Sequence, residues 1–223
     1  MFISILCPSY KSLFTFNANY NSSDRLQTMV KIGNFYRWIY GHITGKPTNF
    51  NWVIEGKLAG SGLPSSSKEI RWLAKQQGIR SIVTIKEKPL PSEWFGSSII
   101  SSTNSTIEYF PKIDYFHISI EDYGAPSVEE LDYVINYITR QIDKGKPVMV
   151  HCSGGRGRTG TILAAYLIKN EKGNMNAEQA IKKINKIRGG ESIQSKDQER
   201  IVFDYEKYIN KSQTRREGQH NIN

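Results

Sequence analysis

The stretch Pro147-Val148-Met149-Val150-His151-Cys152-Ser153-Gly154-Gly155-Arg156-Gly157-Arg158-Thr159-Gly160 changes structural character within a few residues. Pro147 to His151 is a short apolar run, the composition of a strand covered on both faces at the centre of a sheet. Three glycines within five residues, Gly154, Gly155 and Gly157, then let the backbone curl tightly. From Thr159 to Asn170 the period becomes helical, with Ile162, Leu163, Tyr166 and Leu167 as an inward stripe. A buried strand, a tight loop and a helix in this order predict an α/β domain with its loop at a strand-to-helix junction.

The loop has a specific chemistry. Glycines allow successive N–H groups to face inward as an anion nest, and the helix that follows adds the positive end of its dipole. Cysteines at helix N-termini beside cations are reactive as thiolates, which makes Cys152 a candidate nucleophile. Arg158, six residues on, can fold back over the loop and grip two phosphate oxygens at once, a geometry lysine lacks. The backbone of Ser153, Gly154, Gly155, Arg156, Gly157 and Arg158 is the expected phosphate cradle.

Working outward, the chain from Asn49 alternates between β-rich and helical runs, predicting a central, mostly parallel sheet flanked by helices. Trp52 to Leu58 reads as a strand or hairpin start. Ser66 with Glu69 reads as a capping box opening a helix through Ile70, Leu73 and Ala74 to a stop at Gly78. Ile79 to Ile85 is a buried strand, and Tyr115 to Ile120 alternates with Phe116, Ile118 and Ile120 on one face. A second box, Ser127 and Glu130, opens a helix carrying Val128, Leu131, Val134, Ile135, Ile138 and Ile142 and ending at Gly145. Helices over Ala177 to Ile187 and about Lys196 to Ile209 complete a domain spanning 49–210.

Residues 1–48 read as a partly disordered extension in which Asn17 to Ser23 shows no periodicity, while Phe35 to Tyr40 suggests a short aromatic element packing on the domain. Met29 is an alternative start on this reading. Residues 211–223 read as a polar tail. Two cysteines in 223 residues, Cys7 and Cys152, exclude a disulfide framework and fit a reducing, cytoplasmic setting. No apolar run reaches the length of a membrane span, and the four histidines are scattered, so neither metal nor organic cofactor is expected. A net charge of +9 favours anionic partners: phosphoproteins, nucleic acid or acidic lipid.

His151, Cys152, Arg158 and Thr159 match the pattern His-Cys-x5-Arg-Ser/Thr, and the chain over about residues 49–209 resembles the protein tyrosine phosphatase superfamily, in its small atypical dual-specificity branch. The resemblance implies that Cys152 is the nucleophile of a cysteinyl-phosphate intermediate, that Arg158 binds phosphate, and that the Thr159 hydroxyl eases departure of the thiolate. His151 would orient the cysteine rather than act as a base. Asp122, in Ile120-Glu121-Asp122-Tyr123-Gly124-Ala125-Pro126, takes the place of the general acid, with Glu121 its neighbour. Gln194 and Gln198 resemble a pair that places the hydrolytic water in tyrosine-specific members, and Glu87 resembles a loop glutamate that pairs with the arginine.

The expected activity is dephosphorylation of phosphotyrosine, with phosphoserine and phosphothreonine open to a shallower pocket. Arg156 stands where phosphoinositide phosphatases carry a lysine, and RNA 5′-triphosphatases share the signature, so both remain alternatives. A phosphate-reading pseudophosphatase module is the non-enzymatic alternative, although such proteins usually lose the cysteine or arginine. A rhodanese-like sulfurtransferase fits less well with Arg158-Thr159-Gly160.

Overall fold

The computed structural model describes residues 22–95, 98–100, 107–109, 111–171 and 174–220. The chain divides into two compact units, Met1–Tyr36 and Arg37–Asn223; the described part of the first is residues 22–36. Those residues belong to helix α1, Ser22–Thr44. The aromatic segment expected to form a short element is thus the later part of a helix of 23 residues. The expectation of disorder over residues 1–21, and Cys7 with it, lies outside the described residues.

The second unit is built on a five-stranded sheet. Its strands are β1 (Asn51–Ile54), β2 (Leu58–Ser61), β3 (Ser81–Ile85), β6 (Asp114–Ile118) and β7 (Val148–His151), in the spatial order β1-β2-β7-β3-β6. β1 and β2 form an antiparallel hairpin, and β2, β7, β3 and β6 run parallel. Two short strands, β4 (Ser98–Ile100) and β5 (Ile107–Tyr109), pair apart from this sheet.

β7 is the middle strand because nothing in it needs water. Val148 and Val150 face one cluster with Leu58, Val83 and Ile85, covered by helices α3 (Val128–Asp143), α4 (Gly157–Asn170), α5 (Ala177–Ile187) and α6 (Lys196–His220). Met149 faces the other side with Ala59, Ile82 and helix α2 (Ser67–Gln76), through Ile70, Leu73 and Ala74. Alternate residues of a strand point to opposite faces, so an unbroken apolar run serves both layers. The expected sheet, flanked by helices, is the one observed.

The box at Ser127 and Glu130 forms as expected, each side chain meeting the other residue's N–H at 3.2 and 2.8 Å. The one expected at Ser66 and Glu69 does not. Ser66 occupies the N-cap but makes no side-chain cap bond, because the Glu69 carboxylate turns to Ser65, taking its N–H at 3.1 Å and its hydroxyl. That carboxylate lies against Gly41, where a Cβ would collide with it, and burial raises its pKa. α6 continues past the expected end near Ile209 to His220, so the stretch read as a polar tail from residue 211 is largely helical.

Candidate active site

In a parallel sheet the loops leaving the carboxyl ends of neighbouring strands meet at one edge, where ligand sites form. Here β7 delivers the loop 152–156, β3 the segment with Glu87, and β6 the segment with Asp122. The three parts that the sequence motif separates by 71 and 36 residues converge on Arg158. Its guanidinium is only 2% exposed. Nη1 donates to Glu87 Oε1 (2.9 Å) and to the Ile120 carbonyl (2.7 Å), and Nη2 donates to Asp122 Oδ1 (2.7 Å) and Ser153 Oγ (3.1 Å). Asp122 rather than Glu121 is the acidic residue of that loop that reaches the arginine. Burial works to raise the Glu87 pKa, but its own N–H and the Arg158 charge outweigh it and hold the carboxyl below its ordinary value.

Cys152 is buried at the start of the loop. Gly155 adopts a φ of 69°, and a Cβ there would run into Ser61 O, so glycine is required twice over. The carbonyls of the loop point outward and each meets a donor. Ser153 O accepts from Leu63 N–H (3.0 Å), Gly154 O from Asn49 Nδ2 (3.2 Å), and Gly155 O from Asn49 Nδ2 (3.2 Å) and Arg188 Nη2 (2.5 Å). The Arg156 side chain is exposed and leans on Glu191 O at 3.3 Å. The first turn of α4 packs directly on the segment between α5 and α6, since a Cβ on Gly160 would collide with Ser192 O.

Gln194 and Gln198 are brought to the loop. Gln194 Oε1 accepts from Gly157 N–H at 3.0 Å, and Gln198 Oε1 accepts from Gln194 N–H at 2.9 Å. Gln198 also donates to Gly124 O at 3.0 Å, while Ser195 Oγ donates to Tyr123 O at 2.8 Å, so the start of α6 holds the Asp122 loop. The Thr159 hydroxyl is buried and, among the described residues, has no hydrogen-bond partner. Asn49, Arg188, Ser195 and Thr84 complete the surroundings and were not signalled by the motif.

His151 is fully buried between two partners. A carbonyl can only accept, so Nδ1–H donates to Cys152 O (3.1 Å), and Nε2 therefore accepts from Thr84 Oγ1 (2.7 Å). Burial, with Lys86, His117 and Arg158 pushing the same way, lowers its pKa to about 4 against the pull of the Cys152 carbonyl. The ring is neutral at pH 7. A depressed folded value means that the unfolded chain binds the proton more readily. The resulting stability is complete above pH 6.5 and is lost as pH falls toward 4. By pH 5 the loss is about 2 kcal/mol, partly offset by Glu69, which burial shifts in the opposite sense. The ring's NMR signals should stay those of a neutral imidazole at pH 5.5; a midpoint near 6.5 in the folded protein would contradict this assignment.

The arrangement is an anion cup: a glycine-rich loop, a buried sulfur, a guanidinium tied to three segments, and a carboxylate at 57% exposure on its lip. Gly157 departs from the expected phosphate cradle, because its N–H is taken by Gln194 Oε1. Comparison with known proteins matches this chemistry. The family model described as Swiss Army Knife protein, DSP-PTPase phosphatase domain (PTP-SAK), matches residues 47–202. Uncharacterized protein MJECL20 of Methanocaldococcus jannaschii is 36% identical over 99 residues, covering 44% of this chain and 64% of that protein. Phosphatidylglycerophosphate phosphatase PTPMT1 of Arabidopsis thaliana is 30% identical over 156 residues, 67% of this chain and 42% of that protein. The chain thus spans less than two thirds of the length of either relative. The crystal structure of PTPMT1 superposes with a TM-score of 0.60 at 23% identity, covering 74% of this chain and 99% of that one. That of Tk-PTP in the active form gives 0.57 at 23% identity, with 71% and 97% covered. Among the described residues no helix is long and apolar enough to cross a membrane. With the matched model extending from before β1 into α6 and including the loop, the chain belongs to the DSP-PTPase phosphatases, hydrolases of the cysteine-based tyrosine phosphatase fold.

Proposed function

We propose that this phosphatase hydrolyses phosphotyrosine, and more slowly phosphoserine and phosphothreonine, on protein substrates. The Cys152 thiolate attacks phosphorus, the S–P bond forming as the P–O bond to the leaving group breaks, and Asp122 gives that oxygen its proton. Water then attacks the cysteinyl-phosphate, Asp122 takes the water's proton, and inorganic phosphate leaves. Arg158 and the loop amides carry the charge of the transferring phosphoryl group. Thr159 steadies the departing thiolate, Gln194 orients the water with Gln198 behind it, and Glu87 fixes the arginine. The observation that carries this reading is the Arg158 fork, which joins the loop of the nucleophile to the loop of the acid.

For the substrate, the support is Tyr123. Tyr123 is 54% exposed and follows Asp122 directly, so the loop that carries the carboxylate also carries an exposed aromatic residue, suited to an aryl ester. A second reading, the phosphorylated headgroup of an acidic lipid, is favoured by the exposed Arg156 in the loop, the net charge of +9 and the named activity of the PTPMT1 relative. Cytoplasmic residence belongs to the first reading and rests only on the sparse cysteines.

Phosphate release from a phosphotyrosine peptide, a phosphothreonine peptide, phosphatidylglycerophosphate vesicles, a phosphoinositide and 5′-triphosphorylated RNA would test this. The peptide is expected to give the highest kcat/KM. Preferential turnover of the lipid would replace the first reading with the second, and binding without any release would leave a pseudophosphatase. Asp122→Asn is expected to lower kcat on the phosphotyrosine peptide about 10²-fold with KM little changed, since general acid catalysis contributes on that order. A smaller deficit on p-nitrophenyl phosphate, whose leaving group needs no proton, should accompany it; equal deficits on both would argue against Asp122 as the acid.

A further inference from the structure

A peptide plane that aims its N–H at a bound phosphate aims its carbonyl the opposite way. On this loop the Gly155 carbonyl is buried and needs a donor, while that of Gly154 lies at an exposed place and is held as well. The carbonyl of Gly154 shares a peptide plane with the Gly155 N–H, and that of Gly155 with the Arg156 N–H. Both are held by side chains far away in sequence, Asn49 just before β1 and Arg188 at the end of α5. The two holders are themselves joined, since Arg188 Nη2 also donates to Asn49 O at 2.9 Å.

We propose that Asn49 and Arg188 are positioning residues, a clamp outside the phosphate loop that sets its affinity for anions and its catalytic rate without touching the substrate. Three features favour a functional reading over simple packing. Arg188 is 4% exposed, yet its Nε and Nη1 have no hydrogen-bond partner among the described residues, a cost that an apolar side chain of similar length would avoid. The sheet makes room for it, because a Cβ on Gly60 of β2 would collide with Nη1. Asn49 holds its place with a φ of 57°, a conformation that few residue types adopt. Burial lowers the Arg188 pKa to about 10, so it is charged at neutral pH, and its charge interacts favourably with Cys152. It is a further cation at the site, bonded to the loop through Gly155 O.

The inference rests on this loop being the reaction site, and not on which phosphoester is the natural substrate. The experiment therefore uses p-nitrophenyl phosphate, with tungstate as the anion probe, on the full chain. Arg188→Met keeps the length and removes the fork, Arg188→Lys restores the charge alone, and Asn49→Gly removes the amide while keeping the backbone conformation available. For folded Arg188→Met, tungstate inhibition is expected to weaken about tenfold or more and kcat/KM to fall by more than that, as loss of a charge-assisted hydrogen bond implies. Arg188→Lys should recover part of both, and Asn49→Gly should weaken tungstate by about fivefold. Tungstate affinity and kcat/KM within about twofold of the native protein in folded Arg188→Met would overturn the clamp. If that variant does not fold, unchanged tungstate affinity in Asn49→Gly overturns it instead. Absence of turnover by the native protein would strike the catalytic reading and not the clamp, which tungstate binding still reports.

Discussion

Cys152→Ser is expected to abolish phosphate release from p-nitrophenyl phosphate, a loss on the order of 10⁵-fold in kcat, as removal of an attacking nucleophile costs in other covalent catalysts. A serine hydroxyl fits the space and keeps the loop's hydrogen bonds, but it does not supply an anion for attack at neutral pH. No base stands in for it: His151 is neutral, with Nδ1–H directed to Cys152 O and Nε2 taken by Thr84, so neither nitrogen is free to accept the serine proton. The amides and Arg158 remain, so the variant should still bind tungstate and phosphopeptide. Turnover within about tenfold of the native enzyme would show that the phosphoryl group never passes through this sulfur.

Arg158→Lys is expected to lower kcat/KM by about 10³-fold, although the charge is kept, because removal of a group that stabilises the transferring phosphoryl costs on that scale. The native guanidinium makes four hydrogen bonds with two nitrogens, to Glu87, Ile120, Asp122 and Ser153. An ammonium has three donors on a single atom and cannot span Asp122, Glu87 and Ser153 together. The defect should appear in KM as well as kcat, and tungstate inhibition should weaken with it. A lysine variant within about tenfold of native kcat/KM would mean that positive charge alone, and not the planar fork, is what the site requires.

Much of this was legible from one dimension. The change from apolar strand to glycine loop to helical period identifies β7, the loop after it and α4, because each rests on local composition. Ser127 with Glu130 could be read because a box needs only its own residues, whereas Ser66 with Glu69 misled because the adjacent Ser65 competes for the same carboxylate. α6 runs past Ile209 through polar residues that carry no apolar stripe, so periodicity could not follow it. Arg188 and Asn49 were out of reach for a different reason. Asn49 lies 139 residues before Arg188, and nothing local marks a surface-type residue as buried. Gln194 and Gln198 could be named by resemblance, but their bonds to Gly157 and Gly124 come only from the packing of α6 against the loops.

The central place of β7 in the sheet has a consequence for how the protein comes apart. Its backbone is bonded on both sides, to β2 and to β3, and its side chains are covered above and below. Amides in such a strand exchange with solvent deuterium only when the whole domain opens, whereas those of peripheral segments exchange through small local fluctuations. The hydrogens of Val148 to His151 should thus be among the slowest to exchange, and the residues leading into Cys152 would be among the last to lose their order.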